Sequence, residues 1–314
     1  MASPTLFALS AFALGLLFGS FLNVCIYRLP SHQSIATPRS HCPTCHHPIR
    51  WYDNIPLLSF LLLRAHCRDC KASIPWRYPA VELTMGIWSL VCLNSYAGHA
   101  FNAFYFQKLE LTGAPPAWES SIALAILGFL LIGLVVMDWQ TLRLPDAFTL
   151  PGIAIGFLLT CAQAAFLPTG HGDIVLNTTH QLRMSSPGSS NALGNVFLTG
   201  TEAMVLGRVA AILGAALVLL TIRWIYKALR KQEGLGLGDV KLLAMVAAFL
   251  GFTQSLLALF AGVITASLYG LALLARRNAT RNTRLPLGSF LAAGGVFAAL
   301  FGPAIINWYT NLLH

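Results

Sequence analysis

Eight apolar stretches run along the chain, near residues 5–26, 80–98, 120–138, 147–168, 204–226, 242–254, 255–275 and 288–308. Several approach the roughly 20 residues that a helix needs to cross a bilayer core. The pattern predicts an all-α polytopic membrane protein with about eight transmembrane helices. Residues 242–275 form one long apolar run, broken only at Gly251-Phe252-Thr253-Gln254. Its first half is short for a crossing. Reading it as two spans nevertheless returns Arg276–Arg284 to the side that holds the other basic residues. The stretch Thr5–Leu22 has no basic residue before it and no Ala-x-Ala-like site after it, so it reads as a retained first span rather than a signal peptide.

The polar segments set the expected domains. Residues 1–27 carry the first helix, 28–79 a small domain between the first two spans, and 80–314 a multi-helix membrane domain. Within the last, residues 169–201 read as an external loop, rich in serine and glycine around Ser185–Ser190. No internal repeat stands out.

Composition supports the membrane assignment: 10% of residues are charged and 56% hydrophobic, against roughly 25% charged in soluble domains. The net charge of +9 changes the picture only through its placement. Arg28, Arg39, Arg50, Arg64, Arg68, Lys71, Arg77, Arg143, Lys227, Arg230, Lys231, Lys241 and Arg276–Arg284 fall in one set of loops, against little beyond Lys108 and Arg183 in the other. That asymmetry puts the first set in the cytoplasm. Anionic membrane lipids account for part of the charge, and nucleic acid is not needed.

Two Cys-x-x-Cys knuckles, Cys42-Pro43-Thr44-Cys45 and Cys67-Arg68-Asp69-Cys70, lie in the 28–79 segment. Two-residue spacing lets both thiolates of a knuckle reach one ion, and two knuckles complete a tetrahedron, so Cys42, Cys45, Cys67 and Cys70 are expected to hold a structural Zn2+. The reducing side of the membrane favours metal over disulfides. His41, His46, His47 and His66 lie close enough to substitute. Cys25, Cys92 and Cys161 fall in or beside spans and read as packing residues.

The candidate chemistry rests on Asp138, in Met137-Asp138-Trp139, and Asp239, in Gly234-Leu235-Gly236-Leu237-Gly238-Asp239-Val240-Lys241. An acid at a membrane boundary is costly and usually functional. With the third span running inward to Asp138 and the sixth starting outward after Asp239, the topology brings both to one face. Two adjacent carboxylates share one proton and can act as acid and base. Gly236, Gly238 and Lys241 are read as an active-site loop delivering Asp239, with the glycines permitting unusual backbone angles and close approach. Asp146, after Pro145, reads as the cap of the next span. Glu82 and Glu233 are further boundary acids.

These residues resemble the type IV prepilin peptidase family. The resemblance runs in order through Gly19-Ser20-Phe21-Leu22-Asn23-Val24, Tyr27-Arg28-Leu29-Pro30, Cys42-Pro43-x-Cys45, Trp51-Tyr52-Asp53-Asn54-Ile55-Pro56, Leu63-Arg64, Cys67-Arg68-x-Cys70 and Arg77-Tyr78-Pro79-x-Val81-Glu82. It continues through Asp138 to Leu144-Pro145-Asp146, Gly236-x-Gly238-Asp239-Val240-Lys241 and Pro286-Leu287-Gly288-Ser289-Phe290-Leu291. It implies an aspartic peptidase of the bacterial inner membrane that removes leaders from prepilin and pseudopilin precursors on the cytoplasmic side. It also implies N-methylation of the product with S-adenosylmethionine. Ala65-His66 departs from the usual glycine and basic residue. Trp139-Gln140 replaces a second acid found in many members, which leaves Asp138 the candidate there. The competing expectations are a peptidase without methyl transfer, a proton-coupled transporter with interrupted helices in both halves, and a non-catalytic zinc-ribbon scaffold.

Overall fold

A computed structural model describes residues 4–105, 117–166, 174–176, 182–184, 200–231, 235–276 and 285–312. Its helices are α1 (Pro4–Arg28), α2 (Leu58–Leu62), α3 (Arg77–Tyr105), α4 (Ala117–Thr141), α5 (Asp146–Phe166), α6 (Gly200–Arg230), α7 (Leu237–Leu250), α8 (Phe252–Ala275) and α9 (Leu287–Leu312). Six of them, α1, α4, α5, α6, α8 and α9, are long and apolar enough to cross a membrane. The chain is a multi-pass, nearly all-helical membrane protein. A small hairpin pairs β1 (Ile174–Leu176) with β2 (Leu182–Met184), inside the segment expected to be a plain loop. The rest of 169–199 lies outside the described residues, as do Lys108, Glu233, Gly234 and Arg277–Arg284.

Without a hydrophobic drive between helices in lipid, close packing of small residues takes over. A β-carbon on Gly19 would lie 2.6 Å from the Glu82 backbone, and one on Gly86 would lie 2.7 Å from the Phe12 ring, so α1 and α3 touch almost backbone to backbone. Between α8 and α9, Gly262 faces Leu291 Cα at 2.9 Å by the same measure.

The expected span 242–254 needs correcting. Helix α7 begins five residues earlier, at Leu237, and stops at Leu250. Fourteen residues rise about 21 Å, short of a roughly 30 Å hydrocarbon layer. It is instead the central helix, packed against α4, α5, α6, α8 and α9, with Leu242, Leu243, Met245, Val246, Ala247 and Ala248 fully buried. A short helix in an apolar layer leaves its last carbonyls without partners. Two features answer this. Gly251, at φ 87°, takes a left-handed conformation that lets the chain reverse into α8. From α6, the Arg208 guanidinium donates to Phe249 O at 3.2 Å and Ala247 O at 3.4 Å. Arg208→Met should therefore destabilise the protein by about 1–3 kcal/mol, read as a lower unfolding midpoint in detergent. Lysine, which has no planar fork, should restore only part of the loss.

The cysteine segment is tied to the bundle at several points. Arg28, buried at the end of α1, donates to the carbonyls of Ser34, Ile35 and Pro38. Asn23 donates to Tyr78 O, and the Leu57 N–H donates to buried Glu82 at 2.8 Å. Glu82 is thus a tie between this segment and the bundle.

Candidate active site

Helix α4 ends where Leu142 turns to φ 52°, just before Pro145, which cannot continue a helix hydrogen-bond ladder. This leaves Asp138 in the last turn, 5% exposed. Its Oδ2 accepts the Ser289 backbone N–H at 2.7 Å and meets the Ser289 hydroxyl at 3.1 Å. Ser289 is the third residue of α9, where backbone N–H groups have no partner within the helix and favour a carboxylate. Its hydroxyl also donates to Val135 O at 2.9 Å.

Asp239 lies in the first turn of α7, 8% exposed. Its Oδ2 accepts the Gly236 N–H at 3.1 Å, the reach-back half of a capping box. Of the expected loop residues, Gly238 and Lys241 are therefore helical and Gly236 is the helix cap, with Asp239 carried by the helix itself. Gly236 has φ −78° and ψ 152°, open to any residue, so unusual backbone angles do not explain it. Close approach explains Gly238, whose added β-carbon would sit 3.1 Å from Leu144 Cβ. Leu144 also touches Gly288 and so wedges together the starts of α7 and α9 and the end of α4. The two carboxylates lie within electrostatic reach of each other.

Asp146 begins α5, as expected, but its carboxylate accepts from Lys241 Nζ at 2.7 Å. Both partners are partly exposed, so the pair aligns α5 with α7 more than it stabilises them. Beside Asp239 lies a cavity of about 280 Å³ between α6, α8 and α9, with almost wholly apolar walls.

The four cysteine sulfurs lie within 4.8 Å of one another, and Cys42 Sγ is 3.8 Å from Cys70 Sγ. A tetrahedral Zn–S bond of about 2.3 Å implies sulfur separations of about 3.8 Å, a distance the Cys42–Cys70 pair already has, so the cluster could hold a metal. The His41 and His66 rings turn instead toward Arg39 O and Arg64 O. The knuckles form an internal repeat that the sequence reading missed. Arg39, His41, Cys42, Cys45, Ile49 and Trp51 recur as Arg64, His66, Cys67, Cys70, Ile74 and Trp76. The bridge His41–Pro48 matches His66–Ser73, and His46 and Lys71 take the same left-handed turn. Arg68 forks onto Asp53 at 2.6 and 2.8 Å and holds that carboxyl below the usual carboxylate range. The pair therefore adds stability at neutral pH that is lost only in strong acid. Metal analysis of the purified protein should find one zinc per chain, lost together with the fold of this segment in Cys42→Ser or Cys67→Ser. A wild-type sample free of zinc would sink the metal assignment.

Residues 13–96 match the bacterial peptidase A24 N-terminal domain, and residues 191–271 the type IV leader peptidase family. Asp239 falls inside the second match. The prepilin leader peptidase/N-methyltransferase of Aeromonas salmonicida is 30% identical over 99% of this chain and 96% of its own length. The chain belongs to this family. The prepilin leader peptidase/N-methyltransferases of Aeromonas hydrophila and Pseudomonas putida are each 31% identical, over 99% of this chain and 96% of their own lengths. No solved structure matches the chain. The family assignment leaves the transporter and scaffold expectations without support.

Proposed function

We propose that Asp138 and Asp239 cut the leader from type IV prepilin and pseudopilin precursors, and that the protein then methylates the new N-terminus. The observation that carries the peptidase reading is the convergence of two buried carboxylates from distant segments, each fixed through Oδ2 by a backbone N–H. The second oxygen of each is left for water or substrate. One proton is shared between them. The ionised carboxylate takes a proton from water as the water oxygen attacks the scissile carbonyl carbon. The neutral one donates to the carbonyl oxygen and, as the intermediate collapses, a proton passes to the leaving amine. Their low exposure limits competing water and strengthens the electrostatics of the step.

The cysteine segment, with zinc on Cys42, Cys45, Cys67 and Cys70, serves as a rigid structural module beside this site. The one-sided distribution of basic loops supports a cytoplasmic position for both at a bacterial inner membrane, beside anionic lipid headgroups. S-adenosylmethionine enters as a co-substrate that supplies the methyl group, and the family name supports this second activity. The test is incubation of purified enzyme, a prepilin and S-adenosylmethionine, followed by mass spectrometry of the product. A shortened chain with one added methyl is expected. Cutting without the methyl would leave a peptidase alone, and no cutting would remove the reading altogether.

A further inference from the structure

The cavity beside Asp239 has one polar wall, Asp239 itself. Leu219 and Ile222 of α6 line one side, and Leu256, Phe260 and Val263 of α8 the other. Its depth and its mouth differ in exposure. Leu219 is 2% exposed, whereas Phe260 is 66%, Val263 44% and Ile222 42% exposed. The cavity therefore opens sideways between two membrane-crossing helices, into the apolar layer rather than into water. Its direction is also fixed. Along α8 the lining runs from Leu256 to Val263, about 10 Å at the rise of a helix, while Asp239 stands at the start of the short α7. The apolar space thus extends from the carboxylate along the membrane-crossing helices.

We propose that this cavity is the subsite for the large apolar side chain on the membrane-inserted side of the scissile bond, reached laterally between α6 and α8. The inference rests on the peptidase reading and adds to it which residues select the substrate. A peptide bond held at Asp239 has one flank among the polar loops and the other in this apolar space. A side chain that fills the space gains close packing contacts next to the reacting bond, and these position the carbonyl. A volume of about 280 Å³ is at the small end of ligand pockets and suits one aromatic or branched aliphatic residue with part of its neighbour. A polar or charged residue there would be buried without a partner and is rejected.

The test uses the full chain in lipid vesicles and precursors that carry Phe, Leu or Ala immediately after the cleavage point. Val263→Trp and Leu256→Trp fill the cavity, and Leu268→Trp, on an exposed part of α8 outside the lining, is the control. The filled variants should lose about tenfold or more in kcat/KM for Phe relative to Ala, and Leu268→Trp should leave that ratio unchanged. Leu256→Ala, which enlarges the space, should shift preference toward larger side chains and covers the case of a filled variant that fails to fold. A photo-reactive residue at 263 should crosslink the precursor near its cleavage point. Equal losses for Phe and Ala, an unchanged ratio in all cavity variants, or crosslinks to lipid alone would overturn the subsite while leaving the peptidase reading intact. No cutting by the unaltered enzyme would overturn the peptidase reading itself, and the subsite with it.

Discussion

Replacing Asp138 or Asp239 with asparagine should lower precursor cleavage about 10²–10⁴-fold with zinc content and unfolding midpoint little changed. Asparagine keeps the shape and an acceptor oxygen. In Asp138→Asn that oxygen still receives the Ser289 N–H, and in Asp239→Asn it still receives the Gly236 N–H. What is lost is the shared proton, because an amide neither takes a proton from water nor gives one to the carbonyl. The two residues act as one unit, so the double variant should be little worse than either single one. Rates measured with one purified prepilin across all four proteins decide this. A single variant that cuts at the wild-type rate would remove that aspartate from the chemistry. The substitutes are poor: Asp146 is occupied by Lys241 and more than half exposed, and Glu82 is bound to the Leu57 N–H. The transfer half can be read in the same samples with a precursor already cut, and it should survive both substitutions.

The long spans were legible because a bilayer demands long apolar runs, and such runs are visible without any knowledge of partners. The same spans led to the expectation that two boundary acids, Asp138 and Asp239, share one side, and both acids are buried in the structure. Contacts between a side chain and a distant backbone left no such mark. Ser289 reaches Asp138 through a main-chain N–H, and its place in the Pro286–Leu291 motif gave it no distinct role. Arg208 carries no mark of its role in the sequence, because the carbonyls it caps belong to every residue alike. Shortness was visible in residues 242–254, but central burial was not, and burial is what lets a helix of that length persist. Helix α7 takes in Asp239 because its carboxylate caps the helix start, a local bond that hydropathy cannot register. The repeat in the cysteine segment was readable all along. Its mark lies in the flanking Arg, His, Ile and Trp, which recur at the same spacing as the cysteines.

Gly288→Val should lower cleavage by about 10²-fold or more, by displacing Asp138 rather than by unfolding the chain. A β-carbon at 288 would lie 2.8 Å from Leu144 Cδ1 and 3.0 Å from both Cγ and Oδ2 of Asp138. The tip of Leu144 can swing away, but the carboxylate is fixed by the neighbouring Ser289 and must move by a few tenths of an ångström even for alanine. Valine extends the conflict further. A displacement near 1 Å at a reacting group costs on the order of 10²-fold, so alanine should show a smaller loss, about tenfold. The control is Leu144→Ala. If Leu144 were the obstacle, Gly288→Ala combined with Leu144→Ala would regain the wild-type rate. Displacement of Asp138 predicts no such rescue, because the carboxylate remains crowded when Leu144 is gone. A KM little changed and a reduced kcat would place the defect in the chemical step. Full activity in Gly288→Val would instead mean that the Ser289 contact does not hold Asp138 in its working position. Glycine at 288 thus serves the chemistry through space: it lets the N-terminus of α9 come close enough to Asp138 for the Ser289 N–H to hold the carboxylate.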